Sequence, residues 1–398
     1  MAKVIVHVSG DYPDSFLPGK TRAVSSLVEA VHKAFDQHVY SINRASPSAV
    51  SALTTLIGNP AKPAFGIGFE REKDGVTAIR YEGLPGGLYM QASLLQLADR
   101  IADDLVTKGI KPDLIHGHKL SIEGLIAEKL SEYFGCPYAL SIQVNTDRKI
   151  LKFRPDLLAS YRRIYHGAEL VFPFSVMGQR VCDNALGART KPTILLPCTS
   201  PEDRIIAPRV VDPVLASVFH LKDYRNKNVA ALIKASSEIQ KRHPAYAFHL
   251  YGGGAAEQET AIDKLIADCQ ATSFVRKGPI PHENVQSMLN GACGFAMVSK
   301  RETFGMVFLE ALLAGCPVVF PKDWAIDGFF DEALFALGVS ANDGSGIEAA
   351  MERLVVEQVA LKKELATWQE SGKLSQFQRK NVIATYKDSV CAALDKPK

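Results

Sequence analysis

Short apolar runs alternate with longer stretches of helical periodicity along the whole chain. Such alternation is typical of βαβ units and predicts parallel sheets covered by helices. The pattern predicts strands at 4–8, 39–42, 114–116, 138–142, 170–172 and 193–196, then at 214–220, 247–251, 274–277, 295–298 and 317–320. Helices are predicted between them, at 22–34, 91–108, 122–133, 228–241, 256–270, 284–290 and 306–314.

A proline-rich stretch separates the two runs of this pattern. Pro197 and Pro201 are followed by Pro208 and Pro213, and proline at this density suits neither a helix nor a central strand. A chain of 398 residues is also too long for one hydrophobic core. We therefore predict a first domain at 1–198, a linker at 199–213, a second domain at 214–373, and a C-terminal helical segment at 374–398 that could pack back on the first domain.

The composition narrows the class of partner. Apolar residues make up 47% and charged residues 22% of the chain, which is a normal globular balance. A net charge of +3 is too small to make nucleic acid the main partner. Between positions 148 and 191, however, nine Lys and Arg residues stand against three acids. A solvated helical face is the favoured explanation, and peripheral contact with anionic lipid or acidic glycan is the alternative.

The cysteines and the apolar runs bear on the cellular compartment. The seven cysteines are scattered and include no C-x-x-C pair, which argues for a reducing compartment and against a zinc site. The N-terminal MAKVIVHVSG has the pattern of a first core strand, and no apolar run approaches the length of a membrane span. We expect a cytoplasmic protein whose membrane contact, if any, is peripheral on the inner face.

The segment 299–320 carries the most chemical information. Its pattern predicts a strand end, a loop, a helix beginning near Gly305 and ending at Gly315, and the next strand. Glu310 lies inside this almost wholly apolar helix, where a carboxylate is costly unless it is paired or hydrogen-bonded. Glu302 precedes it by eight positions, in the loop. A loop and a helix start together offer free N–H groups to an anionic or hydroxyl-rich ligand.

This string resembles the signature of the retaining GT-B glycosyltransferases of family 4, the glycosyl transferases group 1. The resemblance implies an α/β protein of GT-B architecture, with two Rossmann-like parallel-sheet domains facing across a deep cleft. It also implies that Glu302, Thr303, Phe304 and Gly305 hold the donor sugar, with Glu302 in the catalytic set, and that Glu310 accepts hydrogen bonds from the ribose. The alternative for Glu310 is a buried carboxylate paired with a basic neighbour.

Two further stretches of the second half fit the same donor site. Gly252, Gly253 and Gly254 follow a strand and precede a helix, where glycines let backbone amides approach a pyrophosphate; a plain structural turn is equally compatible. Lys227 resembles the family lysine that stabilises the leaving diphosphate, a catalytic role that needs fixed positive charge. Many members carry an arginine where this chain has His220, and Arg225 is the candidate replacement. An exposed lysine without a role is the alternative for Lys227.

Three positions of the first half extend the resemblance. Gly19, beside Lys20, resembles the glycine-rich loop near the donor diphosphate. His118 ends a string that resembles the family pattern Asp-hydrophobic-hydrophobic-His-x-His, which would make it a catalytic residue reaching the cleft; a histidine capping a strand end is the alternative. Gln143 stands where the family usually has a histidine, and its amide can still donate a hydrogen bond to the donor.

The predicted function is transfer of a sugar from a nucleotide-diphosphate sugar to a hydroxyl acceptor, with retention of configuration. The acceptor could be a glycan, a lipid-linked sugar or a small molecule. No D-x-D pair occurs in the sequence, so we predict no metal and no cofactor other than the donor itself. A nucleotide-sugar epimerase on the same scaffold and a non-catalytic sugar-nucleotide or glycan-binding subunit remain alternatives. An NAD-dependent oxidoreductase is disfavoured because the first strand is not followed by G-x-G-x-x-G.

Overall fold

A computed structural model describes residues 2–58, 64–71 and 75–395. The chain divides into two compact α/β units. Unit 1 comprises Met1–Phe174, Gly178–Leu196 and the chain from Ile383 onward, and unit 2 comprises Ser175–Met177 and Pro197–Val382.

Unit 1 is built on a seven-stranded sheet. Its strands are β1 (Lys3–Ser9), β2 (Phe35–Ala45), β3 (Ile67–Arg71), β4 (Val76–Glu82), β5 (Leu114–Gly117), β6 (Tyr138–Ile142) and β7 (Leu170–Pro173). They are arranged in the order β3-β4-β2-β1-β5-β6-β7. All neighbouring pairs are parallel except β3 with β4, which forms an antiparallel edge. β1 and β5, the two strands on either side of the reversal in strand order, are buried along most of their length.

Helices cover this sheet because their apolar positions recur at helical spacing. The helices are α1 (Ala23–Ala30), α2 (Ala49–Gly58), α3 (Met90–Thr107), α4 (Glu123–Phe134), α5 (Val144–Phe153), α6 (Leu158–Gly167) and α7 (Val176–Leu186). On α3, Leu94, Leu97, Ile101 and Leu105 are buried and share one face. They belong to the core that also holds the strand side chains, so burial of apolar area fixes the helix against the sheet.

Unit 2 has a six-stranded, fully parallel sheet. Its strands are β8 (Val214–Val218), β9 (Ala247–Tyr251), β10 (Phe274–Gly278), β11 (Gly294–Ala296), β12 (Val318–Pro321) and β13 (Ala336–Val339), in the order β10-β9-β8-β11-β12-β13. Its helices are α8 (Val229–Arg242), α9 (Ala256–Asp268), α10 (His282–Asn290), α11 (Met306–Leu313), α12 (Gly344–Val356) and α13 (Gln358–Glu370). The reversal in strand order lies between β8 and β11, which pair directly.

The stretch 199–213, predicted as a linker, is bonded into unit 2. The backbone N–H of Ile206 donates to the carbonyl of Leu313 at 2.8 Å, and that of Val211 donates to Gln358 Oε1 at 2.8 Å. The buried ammonium of Lys362 donates to the carbonyls of Arg209, at 2.5 Å, and Ala292, at 2.8 Å. These bonds satisfy backbone groups that a free linker would leave to water.

The C-terminal segment returns the chain to unit 1. It contains a short 3₁₀ turn at Ser375–Phe377 and then α14 (Arg379–Leu394), whose residues from Ile383 onward belong to unit 1. On this helix the fully buried Tyr386 forms a hydrogen bond of 2.9 Å with Nδ1 of His116 on β5. The last helix is therefore part of the core of the first unit.

Candidate functional site

The loops that follow β8 and β11 meet at the reversal in strand order of unit 2. In open parallel α/β sheets, ligands bind beyond the carboxyl ends of the strands at such a point. The loop after β11 is held to the loop after β8 by two hydrogen bonds: Lys300 N–H donates to the carbonyl of Asn226 at 2.7 Å, and Asn226 Nδ2 donates to the carbonyl of Arg301 at 2.9 Å. The fold thus brings together stretches that lie 75 positions apart in the chain.

These two loops place Lys227 against Glu302. The Lys227 Nζ and Glu302 Oε2 atoms are 2.5 Å apart, and the side chains are only 16% and 14% exposed. The hydroxyl of Ser299 also donates to Glu302 Oε2, at 3.3 Å. Both residues were singled out in the sequence, and the structure joins them as an ion pair at the reversal in strand order.

Helix α11 begins directly after this pair. Gly305 precedes its first turn with φ = +71°, and an added Cβ would lie 2.7 Å from the ring of Phe308, so only glycine fits there. Phe304 is buried, and the N–H of Thr303 donates to Glu302 Oε1 at 3.3 Å. The free N–H groups of the first turn lie at the N-terminal end of α11, which is the end next to the Lys227–Glu302 pair in the chain.

Glu310 lies on α11 and is buried. Its Oε1 is 3.7 Å from Nε2 of His282, the first residue of α10, and its carboxylate accepts a hydrogen bond from Ser200. Burial raises the pKa of Glu310, against the opposing effects of the Ser200 hydrogen bond and a positive charge on His282. The sequence identified Glu310 but neither of its neighbours. The alternative to ribose binding is a buried carboxylate paired with a basic neighbour, and His282 is such a neighbour.

Close backbone packing requires glycine at two positions of the turn after β9. Gly252 has φ = +141°, and a Cβ there would lie 1.9 Å from the carbonyl oxygen of Phe219. At Gly254 a Cβ would lie 2.7 Å from Leu221 Cβ, and Leu221 N–H donates to the carbonyl of Gly253 at 3.0 Å. The turn is therefore bound to the loop that carries Lys227. Its predicted contact with a pyrophosphate stays a prediction.

Arg225 and His220 lie in the same loop. The Arg225 guanidinium is exposed, stacks on the ring of Tyr224 at 5.5 Å and donates to its hydroxyl at 3.0 Å. His220 Nδ1 accepts from the N–H of Lys222 at 3.2 Å and begins a short 3₁₀ turn. Among the residues that the structure describes, Arg225 forms no hydrogen bond or ion pair with Glu302 or Glu310, so its predicted part in donor binding stays a prediction.

Unit 1 has a second charged cluster at its own reversal point, after β1 and β5. Lys119 Nζ lies 2.7 Å from Asp11 Oδ2 and 3.6 Å from Glu123 Oε1, and Glu123 Oε1 accepts from the N–H of Gly10 at 2.8 Å. Burial tends to lower the pKa of Lys119, but the charges of Glu123 and Asp11 outweigh it and raise the pKa. Burial raises the pKa of Glu123 to about 6, because the attraction of Lys119 offsets only part of the lost hydration.

Gln143 and Asp147 extend this cluster along the next strand end. Asp147 is buried and accepts hydrogen bonds from the N–H and the hydroxyl of Ser121, at 3.0 and 2.7 Å, and from the N–H of Gln143 at 3.2 Å. Burial raises the pKa of Asp147 despite these bonds. The Gln143 amide donates to the carbonyl of His118 at 3.0 Å, so the group proposed for donor contact is used inside the fold.

His118 is fully buried in a cluster of three histidines. Its Nε2 lies 3.0 Å from Nδ1 of His7, and its Nδ1 lies 3.4 Å from the hydroxyl of Ser141, which also contacts His116 Nε2 at 3.0 Å. Burial lowers the pKa of all three histidines, to about 4 for His7, so they are neutral at pH 7. The ring of His118 has no exposed surface in this structure and is held by neighbouring side chains, and its predicted contact with a ligand stays a prediction.

The three rings also bring together nitrogens at the spacing of a metal-ligating group. Ring nitrogens of His7, His116 and His118 lie within 4.8 Å of one another, close enough to share an ion. Their nitrogens already bond to each other, to Ser141 and to Tyr386, and a metal would have to displace several of these bonds. The sequence did not indicate this cluster because His7 and His116 meet only through the pairing of β1 with β5.

Gly19 is exposed, and no atom lies within 4 Å of a Cβ placed on it. The packing of unit 1 therefore gives no reason for a glycine at this position. Lys20 donates to Asp14 Oδ2 at 2.8 Å and to the hydroxyl of Ser41 at 3.0 Å, so its ammonium is engaged within the unit. The predicted contact of this loop with the donor stays a prediction.

Comparison with known proteins supports the relation indicated by segment 299–320. The family model described as glycosyl transferases group 1 matches residues 212–355. An alpha-monoglucosyldiacylglycerol synthase from Acholeplasma laidlawii is 26% identical over 120 residues, 30% of this chain and 30% of that protein. A D-inositol 3-phosphate glycosyltransferase from Frankia alni is 27% identical over 132 residues, 31% of this chain and 32% of that protein. The chain thus aligns with about a third of the length of these relatives.

The fold comparison extends over nearly the whole chain. Sucrose-phosphate synthase from Thermosynechococcus elongatus superposes with a TM-score of 0.66 at 17% identity, covering 98% of this chain and 100% of that one. The fold is therefore that of the GT-B glycosyltransferases, as predicted. The family match within unit 2 confirms the resemblance to the glycosyl transferases group 1. Among the described residues, no helix is both long and apolar enough to cross a lipid bilayer.

Proposed function

We propose that this protein transfers a sugar from a nucleotide-diphosphate sugar to a hydroxyl acceptor. The ion pair of Lys227 with Glu302 carries the proposal. It lies at the reversal in strand order of a parallel sheet, inside the segment matched by the family model, and beside the start of a helix. The curated relatives named above are glycosyltransferases by their descriptions, which supports sugar transfer here.

In the proposed donor site the diphosphate binds near Lys227. An ammonium has three N–H donors, so Lys227 can remain bonded to Glu302 and still donate to a phosphate oxygen. As the bond from the anomeric carbon to the diphosphate oxygen breaks, negative charge develops on that oxygen, and the fixed ammonium stabilises it. Glu302, with the backbone of Thr303, Phe304 and Gly305, would hold the hydroxyls of the sugar.

Glu310 would hold the ribose of the nucleotide. A buried carboxylate with a raised pKa is costly in the absence of further donors, and two ribose hydroxyls would supply hydrogen bonds to its oxygens. Ser200 and His282 orient this carboxylate, so we treat them as positioning residues. Neither belongs to the pattern from which Glu310 was predicted.

The proposed reaction retains the configuration at the anomeric carbon and uses no metal. The acceptor oxygen forms the new bond on the face from which the diphosphate leaves, and the acceptor proton passes to the departing phosphate oxygen. Lys227 replaces the divalent cation that a D-x-D pair would otherwise hold. The coupling constant of the anomeric proton in the product would test retention, and activity in excess chelator would test metal independence.

Donor binding is the direct test of this proposal. The melting temperature of the purified protein would be measured against a panel of nucleoside diphosphates and nucleotide sugars, for wild type and for Glu310→Gln. Glu370→Gln, an exposed position at the end of α13, is the matched control. We expect one nucleotide series to raise the melting temperature of wild type and of the control. The affinity of Glu310→Gln for that series, derived from the concentration dependence of the shift, should be at least about tenfold lower, because a charge-assisted hydrogen bond is lost.

Product analysis of the same donors, with and without acceptors, separates the alternatives. Donor turnover without an acceptor, giving an isomeric nucleotide sugar, would indicate an epimerase. Tight donor binding without turnover under a broad acceptor panel would indicate a non-catalytic subunit. No stabilisation by any nucleotide at millimolar concentration would contradict the proposed donor site.

A further inference from the structure

A cavity of about 380 Å³ lies in unit 1 at the carboxyl edge of its sheet. Its walls come from the ends of four parallel strands: Arg44 on β2, Tyr81 on β4, Ile122 after β5, and α5 after β6. This is the edge at which open parallel sheets place ligands, and the volume falls in the range of roughly 300–1,000 Å³ that is usual for small-molecule sites.

The interior of this cavity is apolar. Its lining side chains include Leu84, Met90, Leu94, Ile122 and Ile150. Leu84 and Leu94 are buried in the core of the unit, which makes that wall firm. In a cavity lined by apolar side chains, the free energy of binding comes mainly from the apolar surface that is removed from water.

The rim of the cavity is also apolar, which is unusual for exposed positions. Leu88 is 58% exposed and Phe153 is 71% exposed, and both line the cavity. Their side chains extend the apolar interior outward to solvent. A ligand with a chain longer than the cavity would therefore continue to find apolar contacts at its mouth.

Three cations and no carboxylate are among the lining residues in the part of the chain that the structure describes. Arg154 bonds to Asp156 at 2.6 Å and to the carbonyl of Gly87 at 2.8 Å, and Arg44 donates to the carbonyls of Gly83 and Leu84 at 3.0 and 2.7 Å. Both guanidinium groups thus hold the wall.

Lys149 differs from the two arginines. It is exposed on α5, and within the described ranges no carboxylate lies at ion-pair distance from its ammonium. Lys149 is therefore the cation at this cavity that can form an ion pair with an anionic group of a ligand.

We propose that this cavity binds the apolar chain of an anionic amphiphile, whose acidic group is held at the mouth by Lys149. As a statement about the acceptor, this inference rests on the proposed function: it makes the hydroxyl acceptor a lipid-like molecule. The cavity adjoins the charged cluster of unit 1, because its wall residue Tyr81 is close enough to Glu123 and Lys119 to respond to their charges. A bound amphiphile therefore lies beside the strand ends of the unit predicted to bind the acceptor.

Direct binding of monododecyl phosphate, below its aggregation concentration, tests this proposal by calorimetry. Inorganic phosphate supplies the anion alone, and dodecyl maltoside supplies the chain alone. We expect both to bind at least about tenfold more weakly than dodecyl phosphate, because each lacks one of the two recognised groups. Equal binding of dodecyl maltoside would overturn the role of Lys149, and binding of inorganic phosphate with equal affinity would overturn the role of the cavity.

Two lysines on the same helix give a matched pair of variants. Lys149→Gln removes the cation that lines the cavity, whereas Lys152→Gln removes an exposed cation that does not line it. We expect about fivefold weaker binding of dodecyl phosphate to the first variant and no change in the second. Equal losses in both would show adsorption to a basic surface and would contradict the proposal.

The apolar part is tested by filling the cavity and by shortening the ligand. Ile150→Trp adds bulk to the lining and should abolish binding. Should that variant fail to fold, alkyl phosphates of four to twelve carbons on wild type serve the same purpose, with affinity expected to rise about fourfold per methylene until the cavity is filled. No dependence on chain length would overturn the proposal. Nucleotide binding without dodecyl phosphate binding defeats this inference alone, whereas the reverse defeats only the proposed donor site.

Discussion

Both units place a lysine and a glutamate at the edge of a sheet where the strand order reverses beside the first strand of the unit. In unit 1 the first strand, β1, lies between β2 and β5, and in unit 2 the first strand, β8, lies between β9 and β11. At the first reversal point Lys119 lies by Glu123, and at the second Lys227 lies by Glu302. In unit 1, Lys119 and Glu123 also contact the loop after β1, so two loops meet beyond the strand ends in both sheets.

The pairs differ in how they are surrounded. Glu123 is 1% exposed and accepts from the backbone of Gly10, and Lys119 also contacts Asp11. Lys227 and Glu302 are each about one seventh exposed and lie within the family match. The comparison indicates that one pair is enclosed inside its unit, whereas the other keeps exposed surface. Under the proposed function, the same topology serves structure in unit 1 and binding of the donor in unit 2.

Replacement of the buried lysine should have the largest effect of the variants considered. Lys119→Met leaves two carboxylates without their cation, one of them buried, and we expect a loss of about 3–5 kcal/mol in the free energy of unfolding. Urea unfolding at pH 7 would measure it. Lys129→Met is the control, because its ammonium is 40% exposed and 4.0 Å from Asp99. A loss below about 1 kcal/mol in Lys119→Met would show that this cluster does not hold the unit.

Replacement of the other lysine should act on turnover. Lys227→Met removes the proposed stabilisation of the leaving diphosphate, and we expect kcat to fall by about 10²–10³. The rate of nucleoside diphosphate release measures this, with Lys222→Met, an exposed lysine of the same loop, as the control. The loss of unfolding free energy should be smaller than in Lys119→Met. An unchanged kcat with a large loss of unfolding free energy would show that both pairs stabilise the fold, and would contradict the proposed role of Lys227.

The smallest expected effect is a pH dependence at Glu123. Its pKa of about 6 in the folded protein lies above the ordinary value of 4.5, so the folded state binds more protons between these values. The contribution of this carboxyl to stability is present below pH 4.5 and is lost as the pH rises through 6, by about 2 kcal/mol.

The difference between wild type and Glu123→Gln isolates this contribution. Urea unfolding at pH 4.5 and pH 7 should show the difference in unfolding free energy changing by about 2 kcal/mol, in favour of the variant at the higher pH. Glu132→Gln, an exposed position on the same helix, should show no such change. Parallel pH profiles for wild type and Glu123→Gln would contradict the buried state of this carboxyl.

The sequence predicted most of the parallel strands because buried strands form short apolar runs, but it missed elements of other kinds. The β3–β4 pair is antiparallel and lies at the sheet edge, where no long apolar run is needed. The predicted strand at 193–196 forms only a bridge between Thr193 and Val171. Its backbone bonds to β7 at Ile194 and Leu196, and the prolines at 192 and 197 prevent a longer ladder.

The candidate site was predictable where it follows a local motif. Lys227 and Glu302 were each found from their own stretch, but their contact depends on the loops that the fold brings together. Ser200 and His282, the neighbours of Glu310, could not be found, because their chain segments meet α11 only in the folded unit. The burial of His118 could not be predicted for a similar reason: a strand end does not show which rings will surround it.

The return of the chain into unit 1 has a consequence for how the protein is made. The core of the first unit contains Tyr386, which the ribosome adds only after all of unit 2, and the hydroxyl of that residue bonds to His116. During translation the first unit therefore cannot complete its core until all of unit 2 has been synthesised. A nascent chain stalled shortly before position 383 would expose apolar surface that chaperones recognise, and a gene fragment ending at 196 would inherit the same defect.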